Sequence, residues 1–255
     1  MDEILSVTEL TRTFGKGSGA TRALDGVSLR LEAGEFVGVM GPSGSGKTTL
    51  LNCISTIDRP TSGSIVIDGR ELTRLRGKAL AKFRRERLGF IFQDCNLLDT
   101  LTAYENIALA LSIVKAPARS IEQRVRETAD LLGIADCLGK YPYQMSGGQQ
   151  QRCAAARAIV THPALVLADE PTGALDSRSA RMLLSRLEVL NREMGATILM
   201  VTHDAFTASC CQRVVFLRDG QIFLELQRLQ QDRKTFFQKI IRVVSELGGE
   251  LEDVL

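Results

Sequence analysis

The chain has 255 residues, of which 44% are hydrophobic, and this is enough for one large domain or two small lobes around a buried core. Its 32 basic and 30 acidic residues leave a net charge of +2 and form no block typical of a nucleic-acid or membrane patch, so we expect no nucleic-acid partner. Acidic residues stand near the N-terminus, and no run approaches the ~20 apolar residues of a spanning helix. These features predict a soluble, cytoplasmic chain without a secretory signal.

The cysteines of the chain show no CxxC spacing, and the two adjacent ones cannot bridge each other without backbone strain. We therefore predict reduced thiols that serve as small core side chains. The six cysteines are Cys53, Cys95, Cys137, Cys153, Cys210 and Cys211.

The N-terminal part of the sequence reads as strands followed by a helix. Alternating apolar residues at 27–31 predict a half-buried strand, and the apolar run 36–40 predicts a buried one. Apolar residues then recur at helical spacing over 48–57, with Pro60 and Gly63 as stop signals. This segment is predicted to form a strand, a loop and a helix.

The middle of the sequence predicts a helical insertion in a β/α core. Residues 72–138 are rich in Arg, Glu, Ala and Leu, apart from a short strand-like stretch at 89–92. Two short apolar runs, 164–168 and 197–201, are then separated by a helix-like segment. That alternation is typical of a parallel sheet wrapped by helices.

The C-terminal part predicts a hairpin and an amphipathic helix. Residues 213–225 read as two strands joined at Asp219-Gly220, which is a strong hairpin turn signal. Apolar residues beyond the hairpin fall on one helical face and predict a tail ending near Gly248-Gly249. That face consists of Phe236, Phe237, Ile240, Ile241, Val244 and Leu247.

A phosphate-binding loop is predicted between the strand at 36–40 and the helix after it. The sequence there matches G-x-x-x-x-G-K-[ST], whose glycines let backbone N–H groups and a helix N-terminus surround phosphate. Lys47 is expected to reach the β and γ phosphates, and the Thr48 hydroxyl to ligate Mg²⁺; the alternative is a merely glycine-rich turn. The predicted ATP-binding residues of this loop are Gly41, Ser43, Gly44, Ser45, Gly46, Lys47, Thr48 and Thr49.

Two adjacent acids follow the apolar strand at 164–168. Asp169 and Glu170 stand at the carboxyl end of this strand, where parallel sheets place their ligand chemistry. We predict that Asp169 holds Mg²⁺ and that Glu170 polarises the attacking water. Taken alone, such a pair is more often a helix cap or a solvated strand end, and it is the presence of the phosphate-binding loop that favours the catalytic interpretation.

The segment Met145-Ser-Gly-Gly-Gln149, standing before an Arg- and Ala-rich helix and upstream of Asp169-Glu170, is similar to the signature motif of the ABC ATPase family. Met145 stands where Leu is usual, a volume-conserving change. In that family Ser146, Gly147, Gly148 and Gln149 close over the ATP of a second subunit. The resemblance therefore implies a dimer that sandwiches two nucleotides.

Further motifs of that family follow in the expected order. Gln93 resembles the Q-loop residue, Asp176 the D-loop aspartate, and His203 the switch histidine, while Phe14 lies where an aromatic stacks on adenine. The resemblance thus implies Glu170, His203 and Gln93 as catalytic residues and Thr48, Gln93 and Asp169 as Mg²⁺ ligands. Each has a simpler reading: a solvated Gln, a helix-capping Asp, a structural His, and a Phe buried in the N-terminal lobe.

The predicted fold class is α/β: a P-loop NTPase core, mainly parallel with helices on both faces, carrying an N-terminal antiparallel β lobe, an inserted helical subdomain and a C-terminal helical tail. The boundaries we expect are 1–225 for the ATPase domain, about 94–156 for the helical subdomain and 226–255 for the tail.

The family resemblance also implies a membrane permease as partner, which would hold the chain on the inner face of the cell membrane. A stretch from Gln93 through Leu97, Leu98, Leu101, Tyr104 and Asn106 resembles the surface that receives the permease's cytoplasmic helices.

The segments 58–63 and 168–176 resemble the branch that contains the macrolide exporter, the lipoprotein-releasing ATPase and the bacitracin-type peptide transporters. The segments 52–58 and 236–249 resemble the bacitracin type most. A lipoprotein-releasing or cell-division ATPase, a soluble ABC ATPase and a small-molecule kinase stay open as alternatives, as does the choice between homodimer and heterodimer.

Overall fold

The computed structural model describes residues 2–248, so that residues 249–255 of the predicted tail lie outside the described part. The β-strands of this part are β1 Glu3–Phe14, β2 Thr21–Glu32, β3 Phe36–Met40, β4 Ser62–Ile67, β5 Arg70–Glu71, β6 Leu88–Ile91, β7 Leu165–Asp169, β8 Ile198–Val201, β9 Arg213–Arg218 and β10 Gln221–Gln227. The α-helices are α1 Lys47–Ile54, α2 Gly77–Arg87, α3 Ala103–Ile113, α4 Ala118–Leu132, α5 Gly147–Ile159, α6 Ser177–Met194, α7 Ala205–Ala208 and α8 Arg233–Gly248.

The described residues divide into two compact units, one formed by residues 2–75 with 197–248 and the other by residues 76–196. In the first unit an antiparallel sheet has the order β2-β1-β4-β5, which confirms the antiparallel β structure predicted at the N-terminus. The same unit contains β3 between the parallel strands β8 and β9, with β10 antiparallel to β9. All five residues of β3 are buried, as the continuous apolar run predicts.

The helix after the phosphate-binding loop is shorter than predicted. It ends at Ile54 rather than at residue 57, and Thr56 takes a left-handed backbone with φ +63°. Gly63 is not a helix stop, because it belongs to β4 with φ +88°, and a Cβ there would lie 2.4 Å from the Glu9 carbonyl oxygen. The glycine is required by the close approach of β1 to β4.

The second unit is mainly helical, as the composition of residues 72–138 predicts. The parallel strands β6 and β7 pair within it, and helices α3, α4 and α5 pack against one another. Val125, Ala129 and Leu132 form the fully buried face of α4. Their spacing of four and three residues is the helical period that buries one stripe of side chains.

The hairpin and the tail helix predicted at the C-terminus are confirmed over the described residues. Asp219 and Gly220 both have positive φ, as a two-residue type I′ turn requires, and they join β9 to β10. Helix α8 buries Phe236, Ile240 and Val243. The predicted apolar face was partly wrong, because Ile241 and Val244 are exposed and Val243, which was not assigned to that face, is buried instead. The thiol prediction also agrees with the structure, since every cysteine is free and only Cys95 is partly exposed.

No helix among residues 2–248 combines the length and the apolar character needed to cross a bilayer.

Candidate functional site

The phosphate-binding loop of the first unit is built around glycines that no other residue could replace. Gly41 follows β3, and a Cβ on it would lie 2.1 Å from the Leu217 carbonyl oxygen of β9. Gly46 precedes α1 with φ +103°, and a Cβ there would lie 2.4 Å from the Ala23 carbonyl oxygen. The backbones at Leu217 and Ala23 leave no room for a side chain at the two ends of the loop. The loop can therefore keep this conformation only with glycine at both positions.

Lys47 is the first residue of α1, and only 8% of it is exposed. Its ammonium group donates hydrogen bonds to the carbonyl oxygens of Gly41 and Pro42, both at 2.8 Å, so that the positive charge sits over the loop. Ser45 is also buried, and within residues 2–248 its hydroxyl has no hydrogen-bond partner. The loop therefore combines a fixed cation, a spare hydroxyl and a helix N-terminus, which are the parts of an anion site.

The other residues predicted on this loop lie at its surface. Ser43, Gly44 and Thr48 are exposed, whereas Thr49 is half-buried. The Thr48 hydroxyl follows Lys47 directly and can meet a ligand from solvent.

The first unit also contains Phe14 and His203. The Phe14 ring is 40% exposed and lies under the Arg12 guanidinium carbon at 4.3 Å, so it is not a core side chain. His203 is exposed and stands between β8 and α7, directly before Asp204, whose carboxylate caps α7. The roles of both rings toward a nucleotide stay predictions.

The second unit brings Gln93 next to the loop of the two acids. Asp169 ends β7, and Glu170 takes a left-handed backbone with φ +46°. The Gly173 N–H donates to the Glu170 carbonyl oxygen at 2.9 Å, and a Cβ on Gly173 would lie 3.1 Å from the Gln93 side-chain nitrogen. A left-handed glutamate costs about 1–3 kcal/mol, a strain that proteins keep at functional sites.

Helix α5 holds the chain that carries Gln93. Arg157 donates to the carbonyl oxygens of Cys95 at 2.8 Å and Asn96 at 2.6 Å. Gln151 donates to the Phe92 carbonyl oxygen at 2.7 Å and accepts from the Cys95 thiol at 2.6 Å. We did not predict these two residues from the sequence, and the polar run 149–152 on an otherwise Ala-rich helix was a usable signal for Gln151 alone.

The signature residues form the N-terminus of α5. Ser146 caps the helix by accepting from the Gln149 N–H at 3.3 Å, and the Gln149 side chain accepts from the Ser146 N–H at 2.9 Å. In this structure the Gln149 amide therefore completes a capping box. Ser146 and Gly147 are exposed, so their polar groups face outward at the positive end of the helix dipole.

Gly148 connects the signature to the segment with Asp176. A Cβ on Gly148 would lie 2.5 Å from the Ser179 hydroxyl oxygen. That hydroxyl donates to the Asp176 carboxylate at 2.7 Å, and this hydrogen bond contributes most to holding the pKa of Asp176 below its ordinary value. Asp176 also accepts from the Arg178 and Ser179 N–H groups and caps α6. The predicted cap is present, and it leaves the exposed carboxylate ionised.

The predicted permease-facing stretch is only partly a surface. Leu98 is 47% exposed, but Asn106 is fully buried. The Asn106 side chain accepts from the Leu98 N–H and donates to the carbonyl oxygens of Leu98, Leu101 and Thr102. Asn106 therefore stabilises the loop 98–102 by hydrogen bonds to its backbone. The expectation that Asn106 lies on the surface was wrong.

Comparison with known proteins supplies the family. The ABC transporter family model matches residues 24–173. The bacitracin export ATP-binding protein BceA of Halalkalibacterium halodurans is 50% identical over 250 residues, which are 98% of this chain and 99% of that protein. The macrolide export ATP-binding/permease protein MacB of Aggregatibacter actinomycetemcomitans is 43% identical over 227 residues, which are 89% of this chain and 35% of that protein.

A solved structure gives the same answer for the fold. The dimeric post-hydrolysis state of the ATP-binding cassette MJ0796, bound to ADP and Pi, is similar to this chain with a TM-score of 0.80 and 38% identity. The match covers 88% of this chain and 98% of that one, and it confirms the predicted α/β cassette fold. By sequence and by fold, the chain belongs to the ABC transporter family, as an ATP-binding subunit with ATPase activity.

Proposed function

We propose that this chain powers an ABC transporter for export of, or resistance to, antimicrobial peptides of the bacitracin type. The observation that carries the proposal is the 50% identity to the bacitracin export protein over 98% of the chain, which includes the tail beyond the ATPase motifs. The macrolide export protein is also similar to this chain, but its identity of 43% is lower than that of the bacitracin export protein. In this proposal an integral membrane permease holds the chain at the inner face of the membrane.

We assign the nucleotide roles residue by residue. Lys47 binds the β and γ phosphates, because its ammonium group already lies over the loop carbonyls and can turn to an anion. The N–H groups of the loop and of the α1 N-terminus bind the phosphates. Phe14 stacks on adenine with an exposed ring. Glu170 orients the attacking water, with Gln93 and His203 assisting at the γ phosphate.

Mg²⁺ fits the donor groups of the proposed site. The Thr48 hydroxyl and the Asp169 carboxylate are oxygen donors, and Mg²⁺ prefers one or two such groups together with substrate phosphates. In this proposal Mg²⁺ would be held by Thr48, Asp169 and the Gln93 amide together with ATP, and the ion would neutralise phosphate charge.

The working form we propose is a dimer with two ATP molecules at its interface. Ser146 and Gly147 are exposed at a helix N-terminus, where an anion from a second copy can bind. The MJ0796 cassette, which has the same fold, was solved as a dimer bound to ADP and Pi. Closure of the dimer on ATP would push on the permease, and hydrolysis would reopen it.

A tagged pull-down from detergent-solubilised native membranes tests the choice of transporter. We expect a many-span permease with a large extracellular domain, and we expect deletion of this gene to sensitise cells to bacitracin. Complementation by the wild-type chain should restore resistance, while the Lys47→Ala chain, expressed to the same level, should not. A four-span lipoprotein-releasing or division partner, or capture of no membrane protein, would overturn the peptide assignment while leaving the ATPase assignment intact.

A further inference from the structure

Helix α8 lies against the segment that carries His203, in the same unit of the structure. Its N-terminal residue Arg233 donates to the Phe206 carbonyl oxygen at 3.1 Å and to the Ser209 hydroxyl at 2.9 Å. The Arg233 guanidinium carbon also lies 4.3 Å from the centre of the Phe206 ring. Arg233 thus binds the C-terminal part of α7 by two hydrogen bonds and a ring contact, and α7 begins two residues after His203.

The short helix α7 depends on such contacts for its position. It has four residues, too few to be stable alone, so tertiary contacts must hold it in place. The Asp204 carboxylate caps its N-terminus by accepting from the Phe206 and Thr207 N–H groups. With Asp204 at its N-terminus and Arg233 at its C-terminal end, α7 is held at both ends, and its first residue stands two positions after His203.

The far end of α8 reaches the phosphate-binding loop. Val244 and Leu247 line a cavity of about 280 Å³ together with His203 and residues 40–43. The helix is anchored there by Phe236, Ile240 and Val243, all of them buried. One helix therefore contacts the segment of His203 at its start and borders both His203 and the phosphate loop near its end.

We propose that α8 is a positioning element for ATP hydrolysis, in which Arg233 holds the α7 segment so that His203 meets the γ phosphate. This inference rests on the proposed role of His203. The C-terminal helix would then contribute to turnover as well as to packing. Val244 and Leu247 add apolar side chains to the wall of the cavity that His203 shares with residues 40–43.

The test is steady-state ATP hydrolysis by the full-length chain with Mg²⁺ and saturating or limiting ATP. Arg233→Ala should lower kcat about tenfold, or about 1.4 kcal/mol, while the KM for ATP stays within about twofold, because the phosphate loop is unchanged. Arg233→Lys, which keeps the charge over Phe206, should recover most of the loss. Arg242→Ala, on the exposed side of the same helix, should behave as wild type.

A double-mutant cycle separates positioning from general destabilisation. Arg233→Ala should have no further effect in a His203→Ala background, since it acts through that side chain. Phe206→Leu keeps apolar bulk and should lower kcat in the same direction as Arg233→Ala. The inference is overturned if His203→Ala loses turnover while Arg233→Ala keeps it, or if the two losses add. Full turnover in His203→Ala would instead refute the proposed role of the histidine.

Discussion

The hydrogen bonds from α5 to the Gln93 segment make Arg157 the most informative residue to remove. Cys95 and Asn96, whose carbonyl oxygens accept from Arg157, have left-handed backbones with φ +50° and +48°. Non-glycine residues keep such conformations only where their surroundings hold them. Burial also lowers the pKa of Arg157, but its guanidinium remains charged at neutral pH.

Arg157→Ala should destabilise the chain by about 2–4 kcal/mol, because two charge-assisted hydrogen bonds of ~1.5–3 kcal/mol each are lost and water can compensate only part of them. Urea denaturation followed by circular dichroism measures this loss, and hydrogen exchange of residues 93–98 measures the release of the loop. The ATPase kcat should fall as Gln93 loses its fixed position next to Gly173.

The matched control is Arg126→Ala. Arg126 lies on the exposed side of α4 and pairs with Glu122 at 3.0 Å, an exposed ion pair worth about 0–1 kcal/mol. If Arg157→Ala left hydrogen exchange at 93–98 and kcat as in the wild type, the two Arg157 hydrogen bonds would not be what holds this loop.

Three further predictions follow from the geometry. Lys47→Ala should weaken ATP binding measured by calorimetry by tenfold or more, as expected when a phosphate-binding charge is deleted, and unchanged affinity would contradict the loop assignment. Gly148→Ala should cost about 1–3 kcal/mol through its clash with Ser179, and Ser179→Gly in the same chain should relieve it in a thermal melt. Burial raises the pKa of Cys95 to about 11 and of Cys153 to about 12, so at pH 8 alkylation of these thiols, mapped by mass spectrometry, should be at least ~100-fold slower than in the unfolded chain.

Local patterns in the sequence were enough for the elements around the phosphate loop. The run 36–40 and the Asp219-Gly220 turn give β3 and the β9–β10 hairpin, because a buried strand and a type I′ turn are specified by adjacent residues. The loop residues between β3 and α1 were identified for the same reason.

Contacts between distant residues could not be predicted in this way. Arg157 and Cys95 are 62 positions apart in the sequence, and Arg233 and Ser209 are 24 apart. Neither contact can be recognised from the periodicity or the composition of the sequence. Asn106 shows the same limit: its place beside apolar residues suggested a surface, whereas its four hydrogen bonds bury it under the loop. Gly63 was misread because only the approach of β1 shows why that position needs glycine.

We expect this chain to hydrolyse ATP at an interface between two copies. Glu170→Gln keeps the shape of the side chain but loses the charge that orients water, so nucleotide binding should persist while turnover stops. Light scattering coupled to size-exclusion chromatography should then show a stable dimer with ATP and Mg²⁺ and a monomer without nucleotide. A Glu170→Gln chain that binds ATP but stays monomeric would contradict the shared site, and one that still hydrolyses ATP at the wild-type rate would contradict the role of Glu170.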